Sequence, residues 1–198
     1  MAQLYWLMSM KKVFILLLSY LWMRGVDMKY ILCGLILIMS FTAQSKTIEE
    51  VRSAFIYQLS KFIEFAKPID KGVQFCFFND ESGPALSLMN RKELLSHNKE
   101  IVVNIIKNFS NVTELNLNCN IIYVDDKSFS AVDAQWLSKI DNNIVVIGET
   151  VNFLELGGLA ALIKEGNKIK LYINRAKLSE SQTKIGSRLL ALAKFFPE

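Results

Sequence analysis

Few residues of this 198-residue chain have the types and spacing that chemistry requires. Asp125 and Asp126 directly follow the apolar run Asn120–Val124, and open α/β sheets place ligand sites at such strand ends. Paired carboxylates there can hold Mg²⁺ or act as a general base. The simpler reading, which we favour, makes them acids that solvate the strand end and the first turn of the following helix, where the helix dipole favours negative charge. His97 is the single histidine, and it sits in the polar stretch Ser96-His97-Asn98 with no nucleophile motif nearby. It therefore reads as an exposed loop residue rather than as the base of a catalytic triad. Zinc takes three or four protein ligands, which one histidine and two widely spaced cysteines of the mature chain do not supply. Gly157-Gly158 matches neither the dinucleotide-binding fingerprint nor a phosphate loop with a lysine–hydroxyl ending. A turn requiring positive φ accounts for it. No catalytic, cofactor-binding or metal-binding residue is expected, and no cofactor.

The elements that must carry these residues begin after a distinctive leader. The first 45 residues hold four basic residues (Lys11, Lys12, Arg24, Lys29) and one acid (Asp27) amid mostly apolar sequence. Two apolar stretches, Val13–Met23 and Tyr30–Phe41, are separated by charged residues, and neither reaches the roughly 18 apolar residues of a membrane span. The second has the order of a secretory signal, with Lys29 at its start and the small-x-small triplet Ala43-Gln44-Ser45 at its end. Met28 is read as the start and Ser45 as the last residue before cleavage, so residues 1–27 are an upstream extension and residues 28–45 a signal peptide. Residues 46–198 then form the mature domain, exported to the periplasm. An uncleaved membrane anchor is the competing reading.

The mature segment carries 19 basic and 18 acidic residues, a net charge of +1. Phosphate backbones need a concentrated basic surface, so nucleic acid is excluded as an expected partner. Its two cysteines, Cys76 and Cys119, are most simply a disulfide in an exported domain, with two buried free thiols as the alternative. Thr47 followed by Glu50 is a capping box that opens a helix. Ile48, Val51, Phe55, Leu59, Phe62 and Ala66 recur on one face, and Pro68 ends the segment. Strands are expected over Val73–Phe78, Glu100–Ile106, Asn120–Val124 and Asn143–Ile147, the last two apolar enough to be buried on both faces. A brief helix is expected near Pro84–Asn90, a helix capped by Ser128 through Ile140, and one or two helical turns over Val151–Leu156. Leu159–Lys164 and Lys168–Ile173 flank Glu165-Gly166-Asn167, which is hairpin chemistry. A final helix is expected to place Ile185, Leu189, Leu192 and Phe196 on one stripe. Strands alternating with helices specify a single-domain α/β sandwich with a mostly parallel, Rossmann-like sheet and one C-terminal hairpin.

Several blocks, taken in order, resemble the YfiR family of periplasmic repressors of membrane-bound diguanylate cyclases. They are Val51-Arg52-Ser53-Ala54-Phe55 with Lys61-Phe62-Ile63-Glu64-Phe65, then Cys119-Asn120-Ile121-Ile122-Tyr123-Val124. The C-terminal block is the most specific: Phe153, Gly157-Gly158, Gly166-Asn167-Lys168-Ile169, Ile173-Asn174 and Lys184 through Ala193. The family's helix commonly ends in Trp-Pro, where this chain has Phe65-Ala66-Lys67-Pro68. The resemblance implies a Rossmann-like α/β sandwich, a Cys76–Cys119 disulfide and a homodimer. It also implies a non-catalytic function: binding the periplasmic part of an inner-membrane signalling protein, a diguanylate cyclase or a sensor kinase, and thereby limiting cyclic di-GMP. The apolar residues Phe55, Phe62 and Phe65 are the expected partner surface. The alternative is a periplasmic small-ligand-binding sensor module with its site near Asp125-Asp126 or Gly157-Gly158. A third reading, an exported hydrolase with Asp125 or Asp126 as base, lacks any further support.

Overall fold

The computed structural model describes residues 46–78, 83–107 and 111–197. The expected start, signal segment and cleavage site lie outside the described residues. The Thr47 hydroxyl accepts a hydrogen bond from the Glu50 amide, and the Glu50 carboxylate accepts one from the Thr47 amide, so α1 (Ile48–Lys61) opens with the capping box. The chain continues through β1 (Ile63–Glu64), β2 (Val73–Phe77), α2 (Gly83–Met89), β3 (Leu95–Ser96), β4 (Lys99–Ile105), α3 (Val112–Asn118) and β5 (Ile121–Tyr123). A 3₁₀ turn (Phe129–Ala131), α4 (Ala134–Lys139), β6 (Val145–Gly148), α5 (Val151–Glu155), β7 (Ala160–Glu165) and β8 (Lys168–Asn174) follow. The chain then forms α6 (Arg175–Glu180), β9 (Lys184–Ile185), α7 (Ser187–Leu190) and β10 (Lys194–Phe196).

Eight strands form one sheet in the order β3-β4-β2-β5-β6-β7-β8-β10. Its centre, β4-β2-β5-β6-β7, is parallel throughout. β7 and β8 form the expected antiparallel hairpin, with Glu165 opposite Lys168 and Gly166 at φ +58° in the turn. β10 runs parallel to β8. The apolar runs at β5 and β6 are buried on both faces, as their composition requires. One core, centred on Phe75, Phe77, Tyr123 and Leu162, lies under α1 and α2. A second, centred on Ile122, Trp136, Leu137 and Phe153, lies under α3, α4 and α5. This is the expected α/β sandwich.

Three local expectations fail, two of them for one physical reason. The first helix stops at Lys61 rather than running towards Pro68, and the segment after Lys184 is not a continuous helix. Instead, Ile63 pairs with Ile185 and Glu64 with Lys184 in a small antiparallel ladder, and the Gly186 amide donates to the Phe62 carbonyl at 2.8 Å. Leu192 is 80% exposed and Phe196 belongs to β10, so neither shares the stripe expected for them. Pairing with distant strands outweighs a weak helical periodicity. The third concerns Ser128, whose side chain caps nothing; the 3₁₀ turn follows it, and Asp133 caps α4 by accepting from the Trp136 amide at 2.6 Å. Extended backbone at Val132 separates the two pieces.

Candidate functional site

The carboxyl ends of β5 and β6, with α1 packed across them, gather the most concentrated buried chemistry among the described residues. Tyr123 ends β5, Glu149 directly follows β6, and Thr150 caps α5 by accepting from the Phe153 amide. The Tyr123 hydroxyl donates to Glu149 Oε1 at 2.6 Å. Arg52, from α1, places Nη1 3.0 Å from Glu149 Oε2 and 3.1 Å from Glu49 Oε1 one helical turn earlier. The side chains of Arg52 and Glu149 are only 11% and 8% exposed, so this ion pair is largely withdrawn from water. Arg52 Nε has no hydrogen-bond partner among the described residues.

Burial raises the Glu149 carboxyl above its ordinary range, against the lowering effects of the Tyr123 hydrogen bond and the Arg52 charge. Burial, followed by the Glu149 charge, pushes the Tyr123 phenol well above its usual value. The cluster is thus a guanidinium, a carboxylate and a neutral phenol joined end to end. Each charge faces its opposite, and the chain of contacts fastens α1 to the sheet. No group of three or more His, Cys, Asp or Glu able to hold a metal occurs among the described residues.

The residues singled out by sequence have other duties. Asp125 Oδ1 accepts from the Ser128 amide at 2.8 Å and closes a turn, while Asp126 is exposed. His97 and Asn98 both have positive φ in the β3–β4 turn, and His97 Nε2 donates to the Ser60 carbonyl at the end of α1. The three phenylalanines have different surroundings. Phe55 is half-buried on α1, Phe62 is 36% exposed beside Gly186, and Phe65 meets the His97 ring edge-on at 6.0 Å between centroids. Sequence reasoning missed Arg52 and Glu149 as a pair, because nothing local links a helix residue to one following a distant strand. The available signals were a charge on a half-apolar helix and a carboxylate closing a fully apolar run.

Gly157 occupies φ +101°, as a positive-φ turn demands. Gly158 lies under the Phe153 ring, where an added Cβ would stand 2.1 Å from Cε1. Phe153 is fully buried, so its ring cannot swing away. Gly158→Ala is expected to destabilise the domain by about 1–3 kcal/mol through overpacking. A denaturant midpoint unchanged from the parent would show that the ring can yield.

Cys76, in the middle of β2, and Cys119, just before β5, form a disulfide across adjacent parallel strands, with Cα atoms 5.9 Å apart. The family model described as YfiR/HmsC-like matches residues 49–194. The chain belongs to the YfiR/HmsC-like family. Its disulfide is the one that the family resemblance implies. No curated protein matches the sequence. Among solved structures, a conserved domain protein from Vibrio cholerae is similar with a TM-score of 0.51 and 14% identity, covering 77% of this chain. The YfiR/HmsC-like chain spans 61% of that protein's length, and the likeness extends to the fold alone. The ABC domain from Streptococcus pneumonia, solved in complex with L-Trp, has a TM-score of 0.48 and 12% identity, over 74% of this chain and 59% of its own. Membership of the YfiR/HmsC-like family supports a periplasmic regulatory role in cyclic di-GMP signalling in general, in a family that is regulatory rather than catalytic. The disulfide is consistent with an oxidising compartment. No helix among the described residues is long and apolar enough to cross a membrane.

Proposed function

We propose that this protein is a non-catalytic periplasmic regulator that binds the exported part of an inner-membrane diguanylate cyclase and represses it. The observation that carries this reading is the family match, which spans the domain from α1 to β10. The chemistry agrees with it. The buried charges at the strand ends are occupied with one another, and Asp125 is engaged in a turn. Repression by binding requires unequal affinity for the active and inactive states of the receptor, since equal affinity shifts no equilibrium. Phe55, Phe62 and Phe65 belong to the proposed contact surface. Residues 28–45 act as the export signal and residues 46–198 as the regulatory domain.

Crosslinking of the tagged full chain in cells, followed by purification and mass spectrometry, tests the proposal. A membrane-spanning diguanylate cyclase is expected among the adducts, and deletion of the protein is expected to raise cyclic di-GMP. Recovery of the correctly exported protein crosslinked only to itself would overturn the reading.

A further inference from the structure

The groove between α1 and the β7–β8 hairpin has a volume of about 330 Å³. Its apolar lining includes Ile48, Phe55 and Ile169. Ile48 is 37% exposed, and Phe55 is half-buried against the core. Lys46, Lys164, Lys168 and Lys170 also line it, and no carboxylate does. None of these four lysines forms an ion pair among the described residues. Lys170 is felt by Glu165, but that carboxylate is already held by Lys194 at 2.8 Å. In a mature segment of net charge +1, four unpaired lysines around one apolar floor are a local concentration of positive charge.

From this juxtaposition we infer that the groove receives an acidic segment of the membrane partner's exported domain, which seats an apolar ridge on Ile48 and Phe55. The inference rests on the proposed function and specifies its contact surface. A lysine rim over an apolar floor complements an acidic segment that carries an apolar ridge, charge against charge and apolar against apolar. A concave floor also favours a protein ridge over a lipid surface, into which apolar side chains must protrude. The apolar seat supplies most of the affinity, while the lysine rim steers association and sets its salt dependence.

A photo-crosslinking residue placed at Ile48, and separately at Leu117 on α3, in the full chain in cells tests the assignment. Leu117 is 78% exposed and lies outside the groove. The expected result is an Ile48 adduct to an acidic stretch of a membrane signalling protein. Its yield should fall at least tenfold in the Lys164→Glu/Lys168→Glu variant and persist in Lys164→Arg/Lys168→Arg. Both lysines are exposed, so charge reversal leaves the core intact. Adducts to the signalling protein from Leu117 but not Ile48 would overturn the groove and leave the regulatory function standing. An Ile48 adduct to phospholipid alone would assign the groove to the membrane and overturn the inference. Absence of a signalling-protein adduct from both positions would overturn the groove assignment, and the crosslinking of the unsubstituted chain then decides the regulatory reading independently.

Discussion

Arg52→Ala is expected to cost about 3–5 kcal/mol at neutral pH, because it strands the buried Glu149 carboxylate without its counter-charge. The size of the effect follows from asymmetry. The native pair adds little beyond what water gave its two members, but removing one leaves the other charged and poorly solvated. Glu49 cannot substitute, since it has the same sign as Glu149. The deficit should also depend on pH. Burial already raises Glu149 above its ordinary range, so the folded state holds that proton more tightly than the unfolded chain. This contribution to stability is complete below the ordinary carboxylate range and is lost as pH rises through the folded value. Without Arg52 the carboxyl rises further, and at acid pH it becomes a neutral group beside Tyr123. Urea unfolding of the parent and Arg52→Ala at pH 7 and pH 4 should therefore show a large gap at the first and a smaller one at the second. Equal gaps would assign the loss to the packing of the arginine stem rather than to charge.

Replacing both cysteines, Cys76→Ala with Cys119→Ala, has an expected effect of similar size. The bridge joins residues 43 apart in sequence, and the chain-entropy model gives about 4 kcal/mol for a loop of that length. For a domain of this size, that corresponds to a melting point lower by roughly 8–16 °C. Both side chains are buried, so alanine also removes some packing. Thermal melts of the oxidised parent, the reduced parent and the double variant separate the two contributions. A double variant melting within a degree or two of the oxidised parent would show that the unfolded chain gains little freedom when the bridge is removed. The bridge spans β2 and β5, the central strands between the two cores, so its loss bears on the whole sheet.

The two clusters at α1 divide its work. Its Arg52 side anchors the helix to the carboxyl ends of β5 and β6. Its Ile48 and Phe55 side faces the hairpin groove. A surface intended to distinguish two states of a receptor must itself be rigid, since ordering a mobile surface on binding subtracts from affinity. The buried ion pair ties α1 to the strand ends next to the proposed contact face.

Much of this protein was determined by sequence acting locally. The Thr47–Glu50 capping box starts α1 because two orphan amides find side-chain acceptors within one turn. The apolar runs at β5 and β6 specify buried parallel strands, and Gly166 supplies the positive φ that the β7–β8 turn needs. The C-terminal blocks carried the family resemblance, and with it the cysteine pairing. Only the tertiary structure decided the remainder. Ile185 and Phe196 have helical spacing, yet they became strand residues because β1 and β8 offered them backbone partners. Phe62 and Phe65 left the expected helix for the same reason. Arg52 and Glu149 were unreadable as a pair, because charge complementarity acts through space and nothing in their local sequence records it. Periodicity and turn chemistry are properties of neighbours along the chain, whereas ladders, buried ion pairs and grooves belong to neighbours that folding alone brings together.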